Sequence, residues 1–323
     1  MRAIVYTAPL ELETQEVDEP IASDGEVIVE VAAVGICGSE LEGFASQSPF
    51  RVPPLIMGHE FAGVRTDTGQ RVVVNPLVSC LGCDLCLRGQ TNLCRNRSVL
   101  GIHRSGGFAE RVAVPIRNCY PLPEEVSLLQ AAMIEPLANA VHAFRLIQQV
   151  DAMPHRVGVI GAGALGLFSA LQALRRGVPD VQVIDRSPER LEIARKVAGV
   201  RDAAETLQGE FDAVLDAVGS ATTRRLAMEH VRPGGTCVWI GLHEPDAGID
   251  GLALTRTEKR VLGTFCYHDQ DYRDAIAFAA QLPDGLVRTV GLEEGRDAFF
   301  ELLERTPAEP KTIILPEHAQ AAR

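Results

Sequence analysis

Positive charge is scarce in this chain of 323 residues. Thirty-one basic side chains stand against 43 acidic ones, and lysine occurs only at 196, 259 and 311. No basic run is longer than a pair such as Arg175–Arg176 or Arg224–Arg225. A net charge of −12 without clustered Lys or Arg argues against a nucleic-acid partner, because gripping a polyanion needs such clusters. The opening MRAIVYTAPLELE has one basic residue and no long apolar stretch, so no signal peptide is expected. One uncharged segment, residues 157–174, just reaches membrane-spanning length, but four glycines, Ser169 and Gln172 suit a strand, a tight turn and a buried helix better. Internal repeats and low-complexity stretches are missing. With 46% hydrophobic and 23% charged residues, the composition is that of a soluble globular protein rather than a disordered or fibrous one.

Cysteine is present although no secretion signal is expected. Eight cysteines in such a chain point to metal ligands in a reducing, cytoplasmic setting rather than to disulfides. Cys119, Cys237 and Cys266 fall outside any motif and read as small packing residues.

The length suggests two domains. The first part is β-rich: residues 3–6, 25–36 and 70–77 are apolar and β-branched, with frequent Gly and Pro between them, as in a barrel-like domain. From about residue 124 helical spacing takes over, with a break expected at Pro136. Strands and helices then alternate. RVGVI, a glycine turn and a helix ending at Gly177 are followed by VQVID and by a helix with Pro188 near its start and Gly199 near its end. FDAVLDAVG, TCVWIGL and RVLGTFCY supply further strands, and the tail adds a helix around DAFFELLER and a strand TIIL. That order is the signature of a parallel sheet covered by helices.

Three groups of residues carry chemistry. Cys80, Cys83, Cys86 and Cys94 have the spacing C-x2-C-x2-C-x7-C, which suits a closed tetrahedral zinc site that pins a loop with little apolar mass. Cys37 in GICGSE and His59 in GHE are each weak alone, yet together resemble a mixed sulfur–nitrogen site that keeps one coordination position open. Glu60 follows His59, and Glu135 precedes a proline in the apolar run AAMIEPLA, where a charge needs a partner, either a metal or an arginine. Gly161, Gly163 and Gly166, with Leu165 between the last two, match G-x-G-x-x-G after a strand and before a helix. Asp185 ends the next strand 19 residues after Gly166, where it would bond the adenosine ribose hydroxyls and repel a 2′-phosphate. NAD is therefore favoured, while Arg186 and Arg190 keep NADP open.

In this order and at these intervals, GHEFAG, the cysteine cluster, GGFAE (106–110) and EPLANAVHAF (135–144) resemble the zinc-containing medium-chain dehydrogenases, most closely the sorbitol and polyol branch. The resemblance spans essentially the whole chain. It implies an α/β protein of two domains. A GroES-like catalytic β-barrel would comprise residues 1–140 and 272–323, and a Rossmann doubly wound sheet residues 141–271. It implies two zinc ions per chain: one catalytic, held by Cys37 and His59 with Glu60 or Glu135 completing the shell, and one structural, held by the four clustered cysteines. Ser39 matches the proton-relay hydroxyl. Glu40 matches the carboxylate that orients the ligand histidine, though that residue is usually the shorter Asp. Glu42 stands where many members carry a histidine; it could relay a proton, bind substrate or simply be solvated. Val218 in AVGS, Gly241 in IGL, and Thr264 and Phe265 in GTFCY fall where the family lines the nicotinamide pocket, with Cys266 where many relatives have Arg. The implied reaction is hydride transfer between a secondary alcohol or polyol and NAD(P), in a homodimer or homotetramer without a membrane or nucleic-acid partner. Zinc lowers the pKa of bound water from about 15.7 to about 7, and so supplies acidity that no side-chain base matches. Aminocyclitols and threonine-like amino alcohols fit as substrates. A zinc-free enone or quinone reductase and a non-catalytic NAD sensor are the competing classes.

Overall fold

The computed structural model describes residues 1–196, 200, 202–305 and 307–316. Gly199, expected near a helix end, lies outside them; that helix is described as Pro188–Lys196.

The first body is antiparallel except for one parallel pair, Val287–Gly291 with Lys311–Leu315. Strands Cys119–Pro121, Arg71–Val74, Glu60–Arg65, Glu26–Gly35, Lys311–Leu315 and Val287–Gly291 run in that order, and Arg111–Pro115 also pairs with Glu26–Gly35. A three-stranded sheet of Glu11–Glu16, Arg2–Ala8 and Leu55–Ile56 sits beside it. Phe44, Phe61, Phe108 and Phe299 fill the core between them. One register decides the chemistry. Gly35 pairs with Glu60, so the end of Glu26–Gly35, leading to Cys37, lies against the start of Glu60–Arg65, next to His59. The strand Lys311–Leu315 closes on the other side, with Ile313 opposite Gly35.

The second body is a six-stranded sheet in the order Asp202–Ala204, Asp180–Ile184, Arg156–Ile160, Phe211–Asp216, Val231–Trp239 and Arg260–Gly263. Every neighbouring pair is parallel. Numbered within the sheet this is 3-2-1-4-5-6, the doubly wound order that opens a crevice where the winding reverses. That switch point lies between Arg156–Ile160 and Phe211–Asp216, above Gly161 and Ala217.

The helical stretch after residue 124 breaks earlier than expected. Helices Leu128–Ala131 and Ile134–Val150 flank a gap at residues 132–133, and Pro136 sits inside the second helix. It lies in the first turn, where the missing N–H has no intrahelical acceptor to lose. The expected domain limits at 140/141 and 271/272 fall within Ile134–Val150 and Asp269–Ala279, two helices packed on each other. Asp271 fastens them, accepting from His142 Nδ1 at 2.9 Å and pairing with Arg145 at 2.7 Å. No helix among the described residues is long and apolar enough to cross a membrane.

Candidate active site

Cys37 precedes the short helix Gly38–Ala45, and the sheet register carries His59 and Glu60 to it. The thiol of Cys37, a ring nitrogen of His59 and a carboxylate oxygen of Glu60 all lie within 4.8 Å of one another. One carboxylate holds this corner rigid. Glu40, fully buried, accepts from His59 Nδ1 at 2.9 Å, from the Gly58 N–H at 2.9 Å and from the Cys37 N–H at 3.0 Å. Burial opposes its charge, but the His59 ring and these donors outweigh it and hold the carboxyl below its ordinary range. With Nδ1 committed to Glu40, His59 has Nε2 left for a metal.

Glu60 is also fully buried and accepts from Lys311 Nζ at 2.7 Å; Lys311 donates to the Ile36 carbonyl at 3.2 Å as well. Nothing in the local sequence marks Lys311 except its rarity and its place at the head of an apolar strand. Glu135 stands beside the three-residue set rather than within it. It accepts from Asn139 Nδ2 at 3.2 Å, and burial raises its carboxyl above the ordinary range. Ser39 lies next to the corner, its Oγ donating to Cys37 Sγ at 3.4 Å. Glu42 is at the rim, half exposed and 3.2 Å from His243 Nδ1.

Glu40→Ala should therefore loosen zinc at this corner by about 10–100-fold while sparing the cysteine loop, since removing the carboxylate frees the imidazole to turn. Competition against a chelating dye reads the two affinities separately.

These residues floor a cleft of about 810 Å³ whose opposite wall is the glycine turn. Gly161 has φ +96°, and a side chain at Gly166 would collide with the Gly161 carbonyl, so the strand-to-helix turn stays open for a pyrophosphate. Asp185 is aimed by two N–H donors, Ala162 at 2.7 Å and Ser187 at 2.8 Å. Arg190 lies over Gly163 and donates to the Pro307 carbonyl at 3.2 Å, whereas Arg186 is exposed. Leu165, Val218, Gly241, Thr264, Phe265 and Cys266 line the same cleft, and Thr264 Oγ1 is buried without a hydrogen-bond partner. Burial pushes the Cys266 thiol well up, so it stays neutral.

The four clustered cysteines bring their sulfurs within 4.8 Å of one another. Backbone N–H groups of Cys86 and Arg95 pull the Cys83 thiol down to about 6, ready to ligate as thiolate. The loop also props the cleft: Asn92 donates to the Phe265 carbonyl at 2.8 Å, and Arg97 stacks on the Phe265 ring at 4.7 Å. A third group, His142, His268 and Asp271, is drawn together too, but Arg145 already takes its carboxylate.

Thiolate, imidazole and carboxylate suit zinc, and the glycine turn with an acid at the end of the following strand suits a nicotinamide dinucleotide. A metal corner and a dinucleotide fold facing one another across a cleft define a metal-assisted dehydrogenase. Residues 23–124 match the alcohol dehydrogenase GroES-like domain, and residues 164–281 the zinc-binding dehydrogenase family. L-galactonate-5-dehydrogenase of Escherichia coli K12 is 31% identical over 285 residues, covering 82% of this chain and 83% of that protein. An alcohol dehydrogenase of E. coli CFT073, solved with NADH, superposes with a TM-score of 0.88 at 27% identity, covering 98% of this chain and 99% of that one. A Sinorhizobium meliloti protein described as a zinc-binding dehydrogenase, solved with NADP, gives the same TM-score, identity and coverage. The chain belongs to the zinc-dependent medium-chain dehydrogenase family, in its polyol dehydrogenase-like branch. It is an oxidoreductase whose cofactors are zinc and a nicotinamide dinucleotide.

Proposed function

We propose that the chain oxidises a secondary carbinol of a polyol with NAD, using Cys37 and His59, with Glu60 or Glu135, to hold one zinc, and the four clustered cysteines to hold another. The observation that carries this is the convergence of the Cys37, His59 and Glu60 ligand atoms on a cleft walled by the Gly161–Gly166 turn. Zinc supplies Lewis acidity that acidifies the alcohol, and the nicotinamide takes up the hydride. The remaining work falls to side chains. Ser39 accepts the departing proton and passes it toward solvent. Glu40 keeps His59 facing the metal. Val218, Gly241, Thr264 and Phe265 orient the nicotinamide ring and keep water from it. Lys311 holds Glu60 in place and offsets its charge.

NAD is preferred because Asp185, fixed by two backbone donors, meets the ribose where a 2′-phosphate would stand. Asp185→Ser should shift the NAD:NADP ratio of kcat/KM by about 10–100-fold toward NADP, the size expected when one charge-assisted hydrogen bond is removed and one repulsion is relieved. Both forms are assayed with NAD and NADP against polyols, diols, aminocyclitols and threonine, following the absorbance of the reduced cofactor. NAD-linked turnover of a polyol or diol supports the assignment. Turnover of none of these, or reduction of enones by a protein with one zinc, overturns it.

The division into a catalytic domain of residues 1–140 and 272–323 and a cofactor domain of residues 141–271 is part of this reading. So are a cytoplasmic location and assembly as a homodimer or homotetramer.

A further inference from the structure

Arg51 enters the cleft from the loop between the helix Gly38–Ala45 and the strand Leu55–Ile56. It is only 7% exposed, and its Nε is closed off from solvent with no hydrogen-bond partner. Among the described residues the one hydrogen bond of its side chain is a long one, Nη2 donating to Ser39 Oγ at 3.5 Å. Gly43, one turn beyond Ser39 on the same helix, leaves the space the guanidinium occupies; any side chain there would collide with it. No described carboxylate comes within ion-pair distance of Arg51. Elsewhere in the chain, Arg65 and Arg95 each place two nitrogens on the paired oxygens of Asp67 and Asp84. Arg51 lowers the pKa of Glu40 from nearby, but the oxygens of Glu40 are already taken by Cys37, Gly58 and His59.

A guanidinium carries five donors and keeps its charge at any ordinary pH, so burying one without an anion is strongly unfavourable. Further basic groups stand near Arg51. Arg97 lines the cleft, and His103 is held below its ordinary pKa by burial and by the charges of Arg97 and Arg51. Of the acids that also line the cleft, Glu60 is taken by Lys311, and none lies within ion-pair distance of Arg51.

We propose that Arg51 seats a carboxylate carried by the substrate, so that the preferred alcohols are polyhydroxy acids rather than neutral polyols. This rests on the dehydrogenase reading above. Arg51 touches Ser39, and Ser39 touches Cys37, so the acid group and the reacting carbinol belong to one short carbon chain. The planar fork of the arginine matches both carboxylate oxygens and fixes which hydroxyl reaches the metal corner.

The test uses the full chain loaded with zinc and NADH, titrated with sorbitol, D-gluconate and sorbitol 6-phosphate while the fluorescence of bound NADH is followed. The three probes share a six-carbon backbone; gluconate replaces the C1 terminus of sorbitol with a carboxylate, and sorbitol 6-phosphate carries its phosphate at C6. Wild-type protein should bind gluconate about 10–100-fold more tightly than sorbitol. R51M should lose that advantage, and R51K should keep part of it, with zinc content unchanged in both. Equal or undetectable binding of gluconate and sorbitol to the wild type overturns the proposal, as does an advantage that survives R51M. A gain confined to sorbitol 6-phosphate overturns the carboxylate in favour of a phosphate. A higher Kd for NADH in R51M, with the gluconate-to-sorbitol ratio unmoved, assigns Arg51 to the dinucleotide pyrophosphate instead. The wild-type ratio needs no variant to fold. It also stands apart from turnover, so failure of the dehydrogenase reading and failure of this one give different results.

Discussion

Replacing Cys37 with serine is expected to take zinc from about two to about one per chain and to cut NAD-linked turnover by about 1,000-fold or more, the equivalent of roughly 4 kcal/mol of lost transition-state stabilisation. Serine nearly preserves the shape, so the fold should survive. What is lost is an anionic sulfur, since the serine hydroxyl is neutral and hard where zinc favours a thiolate. Cys37 also begins the helix Gly38–Ala45 through backbone groups: its carbonyl accepts from the Glu40 N–H at 3.0 Å and its N–H donates to Glu40. Those hydrogen bonds do not depend on the sulfur, so the variant separates metal chemistry from folding. Metal analysis by mass spectrometry, with reduced-cofactor absorbance, gives both numbers. Unchanged turnover at one zinc per chain would show that the chemistry does not need this metal.

Cys94→Ala is expected to act through stability and cofactor binding instead. Cys94 is fully buried, and its sulfur accepts from the Cys80 N–H at 3.2 Å. Zinc held by the four thiolates would be the main tether of this loop, because Leu81, Leu87 and Leu93 are all exposed. Structural zinc sites carry on the order of 10 kcal/mol of apparent binding free energy, and much of it is local folding energy. Without the metal, residues 80–97 should open to proteolysis and Tm should fall by roughly 5–10 °C. The effect should reach the active site, because Asn92 and Arg97 hold Phe265 from this loop. A rise in the NAD KM of about 10-fold or more is expected from the loosened nicotinamide wall, with the Cys37 corner still holding its zinc. Limited proteolysis, calorimetry and steady-state kinetics check the three parts. An intact loop and an unchanged KM would disconnect it from the cleft.

What could be read from sequence was what is encoded locally. The glycine turn, the acid at the end of the following strand and the x2-spaced cysteines each lie within a few tens of residues, where spacing carries geometry. The doubly wound body followed from runs such as RVGVI and FDAVLD, which are buried along nearly their whole length because helices cover the sheet. Cys37 and His59 could be named by residue type, but what joins them is the register of Gly35 on Glu60, which no periodicity states. Long-range partners stayed hidden for the same reason. Lys311 meets Glu60 across 251 positions, and Asn92 meets Phe265 across 173. Arg51 looked like one loop arginine among many until the fold buried it. The helix Gly38–Ala45 has too few turns for an apolar stripe to announce it; its start is set by Cys37 and Glu40. Pro136 misled because a proline breaks a helix only past its first turn, and the sequence did not fix where that turn began.

The most direct measurement is the position of metal by anomalous X-ray scattering at the zinc edge, on crystals of the protein purified without added metal. Two peaks are predicted, one bonded to Cys37 Sγ and His59 Nε2 and one among the sulfurs of Cys80, Cys83, Cys86 and Cys94. A single peak in the cysteine loop, from protein that still turns over its alcohol with NAD, would contradict the account.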